Sequence, residues 1–261
     1  MLEWLFDVPL LIVGPAIIVS LCVFAMTGLV VVRRYVLPRL SVHVSDSEFT
    51  GAMLQSIMVF YGLALALIAV SVWQTHSSAS AVVSQEATAL AALYRDVSGY
   101  PDSISPTLQN ELRYYTQQTI YEAWPLQRKG EVPRGGIARM YRFQGILMKF
   151  EPASESQKLL HGEALRAYNE MIKARNLRLE AVQTRLPTVM WVVIILGALI
   201  GLTASFFFRV EEARLQVILV LLLAIFIGLV IFMTFALDRP FRGDLGIKPD
   251  PYQLIYEQVM K

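Results

Sequence analysis

LQVILVLLLAIFIGLVIFMTFAL, residues 215–237, contains no Asp, Glu, Lys or Arg. Roughly 20 consecutive apolar residues cross the hydrocarbon core of a bilayer, so this stretch predicts a membrane-spanning helix. Its Leu, Ile, Val and Phe are interrupted mainly by Gly228 and Thr234, which marks it as the helix expected to face lipid. Val8 to Val32, Phe49 to Trp73 and Leu186 to Phe208 are equally free of charge. The sequence therefore predicts an all-α integral membrane protein with transmembrane helices at about 8–32, 52–73, 187–208 and 215–237, in two pairs around an extramembrane helical middle domain. The expected divisions are 1–73 for the first pair, 74–185 for the middle domain, 186–237 for the second hairpin and 238–261 for a C-terminal tail.

Composition agrees: 55% of the 261 residues are hydrophobic and 17% charged, against about 25% charged in soluble domains. A net charge of +2 with no long basic run gives no footprint for nucleic acid. The one cysteine, Cys22, lies within the first apolar stretch, so an intramolecular disulfide is excluded. That stretch is too long for a signal-peptide core and follows Glu3 and Asp7 rather than positive charge, so it is expected to remain as a helix. Pro9, Gly14 and Pro15 predict a kink or broken start within it.

Along the second span, Gln55, Val59, Gly62, Ala66, Ala69 and Trp73 recur at three- and four-residue spacing and form one small or polar stripe. Two readings remain open: a close helix contact of the small-residue kind, or the wall of a pore. Phe60, one position off the stripe, is the candidate constriction. The short polar turn Arg209 to Arg214 forces spans three and four into an antiparallel hairpin.

The middle segment reads as helices. Ala79, Val83, Ala87, Leu90, Leu93 and Val97 keep helical spacing, and no Gly or Pro separates them from span two. Glu86, Arg95 and Asp96 on this helix are either a solvated, ion-paired face or charges of a vestibule. Ser105-Pro106 opens a helix through Leu108, Leu112 and Tyr115 to about Trp124, where Pro125 is expected to stop it. Gln127 to Gly136 has the punctuation of an exposed loop. Ser154 and Gln157 have capping-box spacing before a helix whose stripe Leu165, Tyr168, Ile172, Leu179, Val182 and Leu186 is expected to run directly into span three.

Chemistry-bearing patterns are sparse. His43, His76 and His161 fall in separate segments without a second His or Cys at ligand spacing, so no metal site is expected. Gly135-Gly136 lacks the Lys-Ser/Thr of a phosphate loop, and there is no Gly-x-Ser-x-Gly. Nothing argues for an enzyme or a cofactor.

After the last span comes Leu237-Asp-Arg-Pro-Phe-Arg-Gly-Asp244. Asp238, Arg239, Pro240, Phe241 and Arg242 read either as an interfacial lock or as the mouth of a pore where arginines repeated by symmetry concentrate anions. With the helix Glu86-Ala-Thr-Ala-Leu-Ala-Ala-Leu-Tyr-Arg-Asp96, the segment Tyr121-Glu-Ala-Trp-Pro125 and the tail through Pro251-Tyr252, the chain resembles the bacterial bestrophin-like membrane proteins. The resemblance implies a homo-oligomer, pentamer or tetramer, that passes small inorganic ions, mostly anions such as chloride, along an axis lined by the second span. It also implies a bacterial inner membrane, with termini and middle domain cytoplasmic. Lys and Arg counts near the membrane favour the same side only narrowly, because Arg33, Arg34, Arg39, Arg209 and Arg214 oppose Lys173, Arg175, Arg178, Arg185, Arg239, Arg242 and Lys248. In bestrophins proper a Pro-Phe-Gly turn precedes an acidic run that holds calcium; here Arg242 intervenes and Asp244 is the only nearby acid, so calcium activation is not implied. A non-conducting signalling or scaffold protein is the alternative function.

Overall fold

A computed structural model describes residues 6, 8–39, 46–133, 135–207 and 212–261. Glu3, Asp7, His43, Phe208 and the turn residues Arg209 to Glu211 lie outside the described residues. The chain divides into a membrane unit, Met1–Gln74 with Arg185–Asp238, and an extramembrane unit, Thr75–Thr184 with Arg239–Lys261. The tail after Asp238 thus groups with the middle domain.

Among the described residues, four helices are long and apolar enough to cross a membrane. In the membrane unit, α1 (Leu10–Val31) runs unbroken through Pro15, which corrects the expected break. Its irregularity lies at the other end, where Val32–Val36, carrying Arg33 and Arg34, widen into a π-turn. Helix α2 (Asp46–Ser98) begins in this unit and continues into the other. Helices α7 (Thr188–Ser205) and α8 (Ala213–Leu237) form the second pair.

Helix α8 exposes one face, with Ile218, Leu222, Phe226 and Leu229, and buries the other. It packs along α1 and is the most enclosed of the four spans, burying Val220, Ala224, Ile227 and Ile231 against Ala25 and Leu29 of α1 and Ile194, Ala198 and Leu202 of α7. Uniform apolarity cannot separate a lipid face from a packed face, since both are equally apolar. Glycine does separate them. At Gly28 an added Cβ would stand 2.3 Å from Cε2 of the buried Phe206, and at Gly228 one would stand 3.2 Å from the Ile18 Cα.

The extramembrane unit is a helical bundle. The second half of α2 packs its predicted stripe, Ala79 to Val97, against α3 (Ser105–Gln118), α5 (Gly136–Met148) and α6 (Glu155–Gln183). Ser154 accepts the Gln157 backbone N–H at 3.2 Å, as the capping spacing predicts. Two expectations need correction, and one between them holds. Pro125 does not end its helix: a π-turn over Thr119–Ala123 precedes it and places Pro125 in the first turn of α4 (Trp124–Gln127), where a missing N–H costs no internal bond. The expected loop between Gln127 and Gly136 is present, and it leads into α5, whose Met140, Phe143 and Leu147 are fully buried. Helix α6 does not run into span three, because Thr184 turns to an extended conformation ahead of Pro187, which cannot follow a helical residue without a clash.

Residues after the last span complete this bundle. Phe241, Tyr252 of α9 (Asp250–Gln258) and Met260 are buried in the same core as Leu90, Leu112 and Trp124. The Trp124 indole donates to the Ile247 carbonyl at 3.0 Å, and Arg113 Nε donates to the Met260 carbonyl at 2.6 Å.

Gly28→Ala is expected to destabilise the membrane unit by about 1–3 kcal/mol, the cost of overpacking a filled contact. Gly145→Ala, on an exposed position of α5 where a Cβ meets nothing, is expected to stabilise by about 0.5–1 kcal/mol through helix propensity. Denaturant titration of both variants in detergent checks the opposite signs.

Candidate functional site

The expected stripe of α2 divides in the membrane unit. The helix packs through Leu65 and, half-buried, Met58, Tyr61 and Ile68; the Tyr61 hydroxyl donates to the Ile194 carbonyl of α7 at 3.0 Å. Gln55, Val59, Gly62, Ala66 and Trp73 lie off this contact and are exposed in the protomer. A Cβ on Gly62 would meet nothing within 4 Å. Ala69 departs from the set: it is 6% exposed, four residues beyond Leu65 and three before Val72, both buried. Phe60 is 73% exposed, but it lies about 100° around the helix from Val59 and cannot share its direction.

At the end of α8, Asp238 is buried and its Oδ1 accepts the Leu186 backbone N–H at 2.5 Å. That bond ties the last turn of span four to the chain entering span three, within the membrane unit. Pro240 and Phe241 are buried in the extramembrane unit, where the Phe241 ring packs edge-on to Trp124 with centroids 5.7 Å apart. Arg239 and Arg242 are half-buried. Between Pro240 and Lys248, Asp244 is the one carboxylate, which falls short of the six to eight oxygen ligands that calcium takes.

Glu86 does not face solvent. It is 0% exposed, inside the extramembrane bundle. Arg178 of α6 donates to it from Nε at 2.7 Å and from Nη2 at 3.3 Å, and the Tyr115 hydroxyl donates at 2.5 Å. The Arg178 guanidinium lies over the rings of Trp124 and Tyr252, 5.6 and 5.8 Å from their centroids. Burial, then the neighbouring Glu86 carboxylate, push the Tyr115 hydroxyl well above its ordinary range, so it stays a donor. For Arg178 burial works against the charge, but Tyr252, Glu86 and Tyr115 outweigh it. This cluster is a neutralised structural pair rather than a solvated face.

Arg95 is exposed and Asp96 half-exposed on the same helix. Burial raises the Asp96 carboxyl above the usual Asp range, with Arg95 opposing and Glu163 reinforcing the shift. The Tyr100 hydroxyl and His161 Nδ1 share a hydrogen bond of 2.7 Å, and burial followed by Asp96 pushes the Tyr100 hydroxyl up to about 12.

A profile described as Bestrophin-like domain matches residues 19–252, most of the chain. The chain belongs to the bestrophin-like family. Its fold is also that of solved relatives. The crystal structure of a bacterial bestrophin homologue from Klebsiella pneumoniae aligns with a TM-score of 0.65 at 10% identity, covering 95% of this chain and 97% of that one. The crystal structure of a membrane protein aligns with a TM-score of 0.69 at 8% identity over the same shares. Comparison with curated proteins finds no match.

Glu86→Gln leaves the Arg178 charge buried without its partner and is expected to cost about 3–5 kcal/mol, whereas Glu86→Leu with Arg178→Met costs less than either change alone. A double-mutant cycle by denaturant unfolding reads this. Asp96 supplies a pH test. Its folded pKa lies above the unfolded value of about 3.9, so its contribution is complete below that pH and lost as pH rises through the folded value. Asp96→Asn, which cannot ionise, is expected to melt higher than the parent at neutral pH, the gap closing on acidification.

Proposed function

We propose that this bestrophin-like protein is an oligomeric channel for small anions such as chloride, with the pore running along a symmetry axis lined by α2. The single observation that carries the reading is the state of that helix in one protomer: held through Tyr61 and Leu65, it exposes Gln55, Val59, Gly62, Ala66 and Trp73 on one face, beside a separate exposed face of Ile57, Phe60, Leu63, Leu67 and Val70 that suits lipid. Lipid rewards large apolar side chains, not a face of glycine, alanine and an amide. Copies of the chain arranged around an axis give that face a neighbour of its own kind, and a single four-helix unit could not line a wide path. Gln55 offers a neutral donor and acceptor to a partly hydrated ion, and small side chains leave it room. Family membership supports the same reading. Ala69 is left out of the pore wall, and Val59 and Trp73 are the bulky members of the face. Arg239 and Arg242, multiplied by symmetry, supply positive potential at one mouth. The termini and the extramembrane unit are assigned to the cytoplasmic side of a bacterial inner membrane.

Purified protein in planar bilayers under a chloride gradient is expected to show chloride-selective steps that Gly62→Trp abolishes. Silence from correctly assembled protein across voltage, pH and calcium would replace the channel with the signalling or scaffold reading. Arg239→Ala or Arg242→Ala is expected to lower anion over cation permeability, and unchanged reversal potentials in both would remove the basic mouth.

A further inference from the structure

Helix α6 brings two guanidinium groups into one cleft of the extramembrane unit. Arg175 and Arg178 are three residues apart and therefore on one face of the helix. They are 6% and 2% exposed. Both line a cleft of ≈ 100 Å³ together with Tyr115, Gln118, Thr119 and Glu122. Glu86 engages Arg178 through Nε and Nη2, while Nη1 is buried and has no hydrogen-bond partner among the described residues. Arg175 makes no ion pair among the described residues.

Charge does not balance inside the cleft. Glu86 offsets one arginine. The one carboxylate lining the cleft, Glu122, is on an exposed residue and accepts from Gln118 Nε2 at 3.0 Å. A buried, unopposed guanidinium is costly unless something anionic meets it. The volume exceeds the ~30 Å³ share of one water, so the space suits an anion of a few heavy atoms.

We infer that this cleft is a binding site for a small carboxylate, held by the Arg175 guanidinium beside the Glu86-paired Arg178. Guanidinium forks match the two oxygens of a carboxylate. A spherical halide has no second oxygen to fill the fork. Gly136 forms part of the wall: a Cβ there would lie 3.8 Å from Arg175 Nη2 and 3.5 Å from the Tyr115 ring, ordinary contact distances that narrow the cleft without a clash. The site uses no residue of the α2 membrane face, so it stands or falls independently of conduction.

Full-length protein in detergent, titrated with sodium acetate against sodium chloride at constant ionic strength and with acetamide as the neutral isostere, tests the site by calorimetry and melting temperature. The expected result is a saturable, acetate-specific rise in melting temperature, absent in Arg175→Gln and shifted to about tenfold weaker affinity in Gly136→Ala. Where Arg175→Gln does not fold, Gly136→Ala decides. No saturable response, which would mean that water alone fills the cleft, overturns the inference. So does an equal response to chloride or acetamide, or an undiminished response in Gly136→Ala.

Discussion

Glu86 carries a carboxylate with no exposed surface, and such a group persists in a helical core only when donors surround it. The donors come from two other elements, Tyr115 on α3 and Arg178 on α6, so the charge on α2 dictates which helices stand beside it. Trp124 and Tyr252 stack around the same guanidinium and thereby draw α4 and α9 into the arrangement. A purely apolar core of leucines would pack these helices with comparable energy but with less to choose between rotations of one helix against the next. Glu86 sits at the centre of that choice.

The membrane unit obeys a different economy. Apolar surface is no reason for its helices to associate, because lipid solvates leucine as well as another helix does. Close approach takes over at Gly28 against Phe206, Gly228 against Ile18, Gly197 against Tyr61 and Gly201 against Met58. At each of these glycines an added Cβ would crowd the neighbour named, and together they fix α1 on α8 and on the end of α7, and α2 on α7.

What could be read from residues alone follows from these two regimes. The spans were legible because charge-free runs of that length have few other uses, and the α2 stripe from Ala79 to Val97 was legible because its period is helical and uninterrupted. The ion pairing of Glu86 is one of the readings its residues allow, and its burial follows from the same period: it falls three residues after Val83 and four before Leu90, both buried. Arg175 and Arg178 follow the same logic on α6, between Met171 and Val182. Helix α5 went unread because glycines at its start outweighed Met140, Phe143 and Leu147. The packing of α8 could not be read, since nothing in a row of Leu, Ile and Val says which side meets lipid. Pro125 misled because the compensating π-turn has no residue signature of its own.

Trp124 and Leu112 wait in the chain well before Phe241, Tyr252 and Met260, the residues that close their core. Two apolar spans, α7 and α8, lie between. During synthesis the ribosome therefore delivers a bundle with one wall missing, and that wall follows only after the second hairpin has been made. Domains tend to fold as units, earliest segments first. Here that order is interrupted, because the core cannot close until the second hairpin has been made. Closure of that core is thereby timed by the segment that follows α8 rather than by the helices that precede α7.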